Sequence, residues 1–276
     1  MSDALLPERE AFTLGRDEWV RRWMSERSAA SHAGFFVPQL RPGMRVLDCG
    51  CGPGSISLDL AQLVRPGGEV VGIDLDPRQV AAARAQMSAR GSDNVRFDVA
   101  DAYALPFAAG TFEAVFAQSL LMHVRDPLAV MREVFRVLKP GGVFGVRDPD
   151  YGAWLWAPET PEVTEFARIF CDVVAHHGSP FYARHQRRLL REAGFARTST
   201  QAQTLAYGEV DGTRATAQIM ARVARSAEFQ ATAVAHALAT PARLDELCVG
   251  LTRWGEAEDA VYVMVFVETL AWRGGD

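Results

Sequence analysis

The chain has 276 residues, 49% of them hydrophobic and 23% charged, with a formal net charge of −5. That length and hydrophobic content suffice for one large α/β domain with a cap, or for two small domains. The acidic balance argues against a nucleic-acid partner, which needs a basic face. The most apolar stretch, residues 261–270, is too short to span a bilayer and carries Glu268.

The first forty residues read as an amphipathic helical cap, because Trp19, Val20 and Trp23 recur at helical spacing among Arg and Glu. Pro42-Gly43 breaks the chain. Residues 46–49 form a short buried strand that runs into Gly50-Cys51-Gly52-Pro53-Gly54, and a helix follows over 55–64. A second apolar strand over 69–73 ends on Asp74. Asp76 caps a helix with Pro77 in its first turn and Gly91 past its last. Strands are expected at 95–98 and 112–117. A helix opened by Asp126-Pro127 then stops at Lys139-Pro140-Gly141-Gly142, and a fifth strand covers 143–147. This alternation with short connections predicts an α/β fold with a doubly wound parallel sheet. Residues 41–150 are therefore assigned as the core, and their glycine loop and acidic residues make it the expected cofactor-binding part.

Beyond Arg147 the rhythm loosens. Residues 151–182 read as a helical insert over the pocket. Residues 183–276 read as the last helix and strands of the core, with a helical insert at about 211–255. A helix over 184–193 ends at Gly194. Residues 198–205 alternate like a strand, and 261–270, apolar on both faces, belongs inside the sheet.

Open parallel sheets bind ligands at the carboxyl ends of their strands, where the Gly50-to-Gly54 loop lies. Its glycines let a ligand approach the main chain closely, and a helix starting at Ser55 offers unpaired N–H groups. A dinucleotide fingerprint reads G-x-G-x-x-G. Here the pattern is G-x-G-x-G, with Ser55 in the place of the third fingerprint glycine. Asp48 adds negative charge beside the loop, which suits a cationic sulfonium amino acid better than a pyrophosphate. Asp74 ends the second strand, where a carboxylate can accept both hydroxyls of a ribose. An NAD-dependent oxidoreductase is the weaker reading.

Val46-Leu47-Asp48-Cys49-Gly50-Cys51-Gly52-Pro53-Gly54 resembles the first motif of class I S-adenosylmethionine-dependent methyltransferases. The resemblance continues through Val71-Gly72-Ile73-Asp74, Ala100-Asp101-Ala102, Leu105-Pro106-Phe107, Phe112-Glu113-Ala114-Val115 and Val137-Leu138-Lys139-Pro140-Gly141-Gly142. It is nearest to the ubiquinone/menaquinone-biosynthesis-like branch and covers about residues 35–150; Gly194-Phe195 and Trp272 fit more loosely. It implies a Rossmann-like sheet of seven strands, the last antiparallel, and S-adenosyl-L-methionine as cofactor. It implies that Gly50, Gly52 and Gly54, with Cys51 between them, line the methionine part. Asp48 would lie near the ammonium group, Asp74 with Leu75 at the ribose, and Asp101 at the adenine amino group with Ala102 beside the ring. Gln118 would lie on the sulfonium side. A member that keeps the cofactor but catalyses another reaction, such as a cyclisation, would carry the same motifs.

Methyl transfer from a sulfonium is an in-line displacement that needs alignment more than acid catalysis. A base is needed only if the acceptor must lose a proton. His123, after the fourth strand, has an ordinary pKa suited to that task and is the first candidate. Asp148, after the fifth strand, is the second; Asp150, Tyr151 and His32 follow. Trp154, Trp156, Phe166, Phe170, Phe181, Tyr182, Met220, Phe229 and Trp254 read either as core or as walls of an apolar acceptor pocket. The first forty residues and residues 148–180 are expected to close over it. Cys49, Cys51, Cys171 and Cys248 lack redox or zinc spacing, which points to reduced thiols in a cytoplasm. No secretory leader and no bound metal is expected. The expected partner is a small, apolar or aromatic acceptor, with a homodimer left open and nucleic acid argued against.

Overall fold

The computed structural model describes residues 18–275. The described chain opens with helices α1 (Glu18–Ser25) and α2 (Ala29–His32). Next come strand β1 (Arg45–Cys49), helix α3 (Ser55–Leu63), β2 (Glu69–Asp74), α4 (Pro77–Arg90), β3 (Val95–Val99) and β4 (Phe112–Gln118). Helix α5 (Pro127–Val137) leads into β5 (Leu138–Pro149). The strands β1 to β5 pair in parallel in the order β3-β2-β1-β4-β5. The apolar runs of β1, β2 and β4 are buried along nearly their whole length, as parallel strands covered on both faces require.

Side-chain alternation divides these strands between two apolar layers. Val46, Val70, Ala114, Phe116 and Val143 face the layer built with α3 and α4. Leu47, Val71, Val115, Phe144 and Val146 face the layer built with α5 and the later helices. The helix starts follow local chemistry. Asp76 accepts from the Arg78 N–H at 2.9 Å, and Asp126 accepts from Ala129 N–H at 3.0 Å. Gly91 closes α4 in the left-handed conformation, φ 60°.

The second half adds β6 (Leu155–Ala157), α6 (Pro161–His177), α7 (Gln186–Glu192), β7 (Arg197–Tyr207), α8 (Val210–Arg225), α9 (Ala227–Ala235), α10 (Pro241–Gly255) and β8 (Val261–Trp272). β8 lies inside the sheet, antiparallel to β5 on one side and to β7 on the other. The expected Rossmann-like sheet with its last strand antiparallel is present, with eight strands where the resemblance implies seven. Two further expectations need correction. The extra strand, β6, falls within residues 151–182, expected as helical; it extends the β5 side and pairs with β8 from Leu155 to Ala157. Lys139 to Gly142, expected as a stop before a fifth strand, bulges out of a strand already begun. Leu138 pairs with Phe112 and Val143 with Ala114, so the four residues between them have no pairing partner in β4. No helix among the described residues is long and apolar enough to cross a membrane.

Candidate active site

The carboxyl ends of β1, β2, β3, β4 and β5 open onto one cavity of about 600 Å³, a volume typical of small-ligand sites. Its other walls come from α1 and α2, from α8 and from β7 and β8.

The glycine loop shapes one end. Gly54 has φ 85° and caps α3; a Cβ there would sit 2.7 Å from Phe97 Cζ and 2.8 Å from Ala83 Cβ. Both backbone sign and space demand glycine. The N–H groups of Gly50 and Cys51 donate to Ile73 O at 2.8 Å, and that of Gly52 donates to Asp74 Oδ2 at 2.9 Å. The loop therefore commits the amides of Gly50, Cys51 and Gly52 to β2 instead of turning them toward a pyrophosphate. Asp74 Oδ1 accepts from Asp76 N–H at 2.9 Å. This half-buried carboxylate is held by backbone amides, those of Gly52 and Asp76 on separate oxygens and that of Leu75 beside them, and its remaining lone pairs suit a vicinal diol. Burial raises the Asp74 pKa to about 6, against the lowering effect of the amides of Asp76 and Gly52. Asp101, exposed at the rim, accepts from Tyr103 N–H at 2.9 Å and keeps its other oxygen for a ligand donor. This donor and acceptor set fits an adenosine group.

Of the residues singled out in the sequence, Gly50, Asp74, Leu75, Asp101, Ala102, Gln118 and His123 line the cavity. Asp48, Cys51, Gly52, Gly54 and Asp148 do not. Asp48 lies beneath the loop, where Ser57 Oγ donates to its Oδ2 and burial raises its pKa to about 7. Asp148, within β5, is fully buried, 0% exposed, with Met122 N–H donating to Oδ1 at 3.3 Å. Burial raises its pKa to about 8. It has no opening to a cavity ligand, which corrects its placement as a direct base; on β5 it is Arg147 and Pro149 that face the cavity. Asp150 accepts from two Arg184 nitrogens, Nε at 2.8 Å and Nη2 at 2.7 Å, and is also outside.

His123 ends a short turn after β4, 8% exposed. Burial chiefly, with the charges of Arg27 and His177, lowers its pKa to about 4, so the ring is neutral at physiological pH. His32 also lines the cavity; burial and Arg27 lower its pKa to about 3. Ser119, beside Gln118, adopts φ 50°, a strained backbone for a non-glycine residue at a ligand site.

Arg147 was not expected as a site residue. It is 4% exposed and reaches Glu268 at 3.1 Å, Gln203 at 2.8 Å and Gln118 Oε1 at 3.0 Å. Its guanidinium carbon lies 3.7 Å from the centroid of the Phe266 ring. The Gln118 carbonyl is thereby committed to Arg147, and its amide donates to Ser119 Oγ at 2.6 Å. A charge inside the apolar run 261–270 was the available signal, because a buried carboxylate needs a partner. The aromatics of residues 154–182 do not wall the cavity: Trp156, Phe166 and Phe170 pack in the core with Phe229 and Trp254. The apolar wall comes from Tyr262, Met264 and Phe266 on β8 and Ile219 and Met220 on α8. The described part of the N-terminal segment contributes Trp23, Met24 and Arg27, and residues 1–17 of the expected cap lie outside the described residues.

A family model for the methyltransferase domain matches residues 40–201, more than half of the chain. Demethylmenaquinone methyltransferase of Lactococcus lactis is 39% identical over 100 residues, 36% of this chain and 40% of that protein. Nocamycin O-methyltransferase of Saccharothrix syringae is 38% identical over 109 residues, 40% of this chain and 39% of that protein. Among solved structures, the YcgJ protein of Bacillus subtilis superposes with a TM-score of 0.61 at 23% identity, covering 88% of this chain and 98% of that one. The matches span about half the length, or less, of the curated relatives. The chain belongs to the methyltransferase-domain family, and residues 40–201 are its methyltransferase domain.

Proposed function

We propose that the protein transfers a methyl group from S-adenosyl-L-methionine to a small, largely apolar acceptor. The observation that carries this reading is a single cavity with two chemistries. Asp74 and Asp101 stand at the end built by β2 and β3, and an apolar chamber opens past Gln118. The cofactor, when bound, supplies an electrophilic methyl on a cationic sulfonium. The residues of the chain bind and orient. Asp74 accepts the ribose hydroxyls, Asp101 accepts from the adenine amino group, and Gln118, held by Arg147, borders the sulfonium side. His123 takes the proton of an acceptor that must lose one. The N-terminal helices close the chamber against water, with Met24 lying over Gly52. We assign the chain to the ubiquinone/menaquinone-biosynthesis-like branch, which its identity to demethylmenaquinone methyltransferase supports. The free cysteines, of which Cys49, Cys51 and Cys248 are buried, support a cytoplasmic setting.

Calorimetry on the purified protein tests the reading. S-adenosylmethionine and S-adenosylhomocysteine are expected to bind and NAD is not; NAD binding without adenosylmethionine binding ends it. Asp74→Ala is expected to weaken S-adenosylhomocysteine binding by about 1.5–3 kcal/mol, the cost of losing hydrogen bonds to a charged group. Unchanged affinity in the folded variant would reduce Asp74 to a turn residue that only ties Gly52 and Asp76.

A further inference from the structure

Arg27 sits in the turn between α1 and α2, half-buried in the cavity wall. Its guanidinium carbon lies 4.8 Å from the centroid of the Trp23 ring. Among the described residues, no carboxylate is ion-paired with it. Glu26, its neighbour in the chain, lines the same cavity. The other guanidinium facing the cavity is already satisfied, since Arg147 holds Glu268, Gln203 and Gln118.

A guanidinium taken partly out of water without a counter-charge is costly unless a ligand supplies one. Burial and the charge of Arg147 lower the Arg27 pKa to about 10, so the group remains a cation at neutral pH. The position of the charge is informative. It acts on His32 and His123, and on Tyr151 beyond β5. These groups belong to the N-terminal segment and to the ends of β4 and β5. Asp74 and Asp101 follow β2 and β3, on the other side of β1 in the sheet. Arg27 lines the same cavity as Tyr151, Tyr262, Met264 and Phe266, and its charge is felt on the side of β4 and β5.

We propose that Arg27 anchors a carboxylate in the acceptor half of the cavity, so that the methyl acceptor is a largely apolar molecule carrying one such anionic group. The planar fork of a guanidinium matches a carboxylate through two parallel hydrogen bonds. The apolar residues of β8 and α8 accommodate the remainder of the molecule. The proposal rests on the reading of this cavity as a methyl-transfer site. The donor carries a carboxylate of its own, so the test has an arm for each source.

Calorimetry on the full chain, saturated with S-adenosylhomocysteine, compares 2-naphthoate with its neutral isostere 2-naphthamide. A second arm compares S-adenosylhomocysteine with 5′-methylthioadenosine, which lacks the amino-acid carboxylate. The unaltered protein is expected to prefer naphthoate by at least about tenfold, the weight of a charge-assisted hydrogen bond. In Arg27→Gln that preference is expected to fall to near unity while the ratio of S-adenosylhomocysteine to methylthioadenosine affinity stays constant. Arg27→Lys, which keeps the charge and loses the fork, is expected to lie between, and it decides the matter if Arg27→Gln does not fold. Three results overturn the proposal. The first is absent or equal binding of the naphthyl pair to the unaltered protein. The second is a naphthoate preference that survives in Arg27→Gln. The third is a fall in the ratio of the second arm, which assigns the guanidinium to the donor. If S-adenosylhomocysteine itself fails to bind, the methyl-transfer reading falls, and the naphthyl arm, run on the free protein, still decides on Arg27.

Discussion

Arg147→Met is expected to destabilise the protein by about 3–5 kcal/mol, because it strands one partner of a buried ion pair. Arg147 and Glu268 are each 4% exposed and stand opposite each other in the pairing of β5 with β8. Without the guanidinium, Glu268 retains the amide of Gln201, whose Nε2 donates to its Oε2 at 2.8 Å, but no counter-charge. The pair is expected to add little beyond what a neutral, well-packed replacement would give, since desolvation offsets much of the attraction. Arg147→Met with Glu268→Gln should therefore recover most of the loss. Urea unfolding of the two single variants and the double variant checks this. A loss below about 1 kcal/mol in Arg147→Met would mean that solvent screens the pair as it does at a surface. The same substitution frees the Gln118 carbonyl, so the folded fraction should also show weakened ligand binding at the β4 edge.

His123→Ala is expected to lower turnover by about 10²–10⁴-fold if the ring removes the acceptor proton, with S-adenosylhomocysteine affinity nearly unchanged. Burial first, then the charges of Arg27 and His177, lowers the His123 pKa from its ordinary 6.5 to about 4. The neutral form thus exists at all pH values above about 4, and the same depression makes the ring a weaker base than a free imidazole, which favours the low end of the expected rate loss. The acid limb of the rate profile is expected near that value and not near 6.5. The sign for stability follows from the same depression. As pH falls below 6.5, the unfolded chain takes up a proton that the folded chain refuses, so stability from this residue is lost between about 6.5 and about 4. A His123→Ala enzyme with near-normal turnover would show that alignment alone suffices and that the ring is structural.

The glycine loop, Asp74, Asp101 and Gln118 were legible because each is fixed by a strand end and the few residues after it. Asp74 ends β2, Gln118 ends β4, and the Gly50-to-Gly54 turn is set by backbone sign and close packing against Phe97. The helix boundaries at Asp76, Gly91 and Asp126 were legible for the same local reason. Asp148 was misplaced as a direct base because alternation on a strand buried on both faces does not reveal which parity opens to the ligand. The pairing of β5 with β4 and β8 settles it in favour of Arg147 and Pro149.

By itself, then, the sequence determined the order of the parallel core elements, the glycine turn and the acidic groups at the ends of β1 and β2 and after β3, all of them consequences of local backbone geometry and periodicity. Tertiary structure decided what depends on partners distant in the chain. It inserted β8 between β5 and β7 and so brought Glu268 to Arg147 across the sheet. It folded α1 and α2 over the strand ends, which carried Arg27 and His32 into the cavity. It buried His123 and thereby moved its titration far from that of a free imidazole. Burial and charge pairing are properties of the assembled surfaces, and a run of residues does not carry them until the sheet is closed.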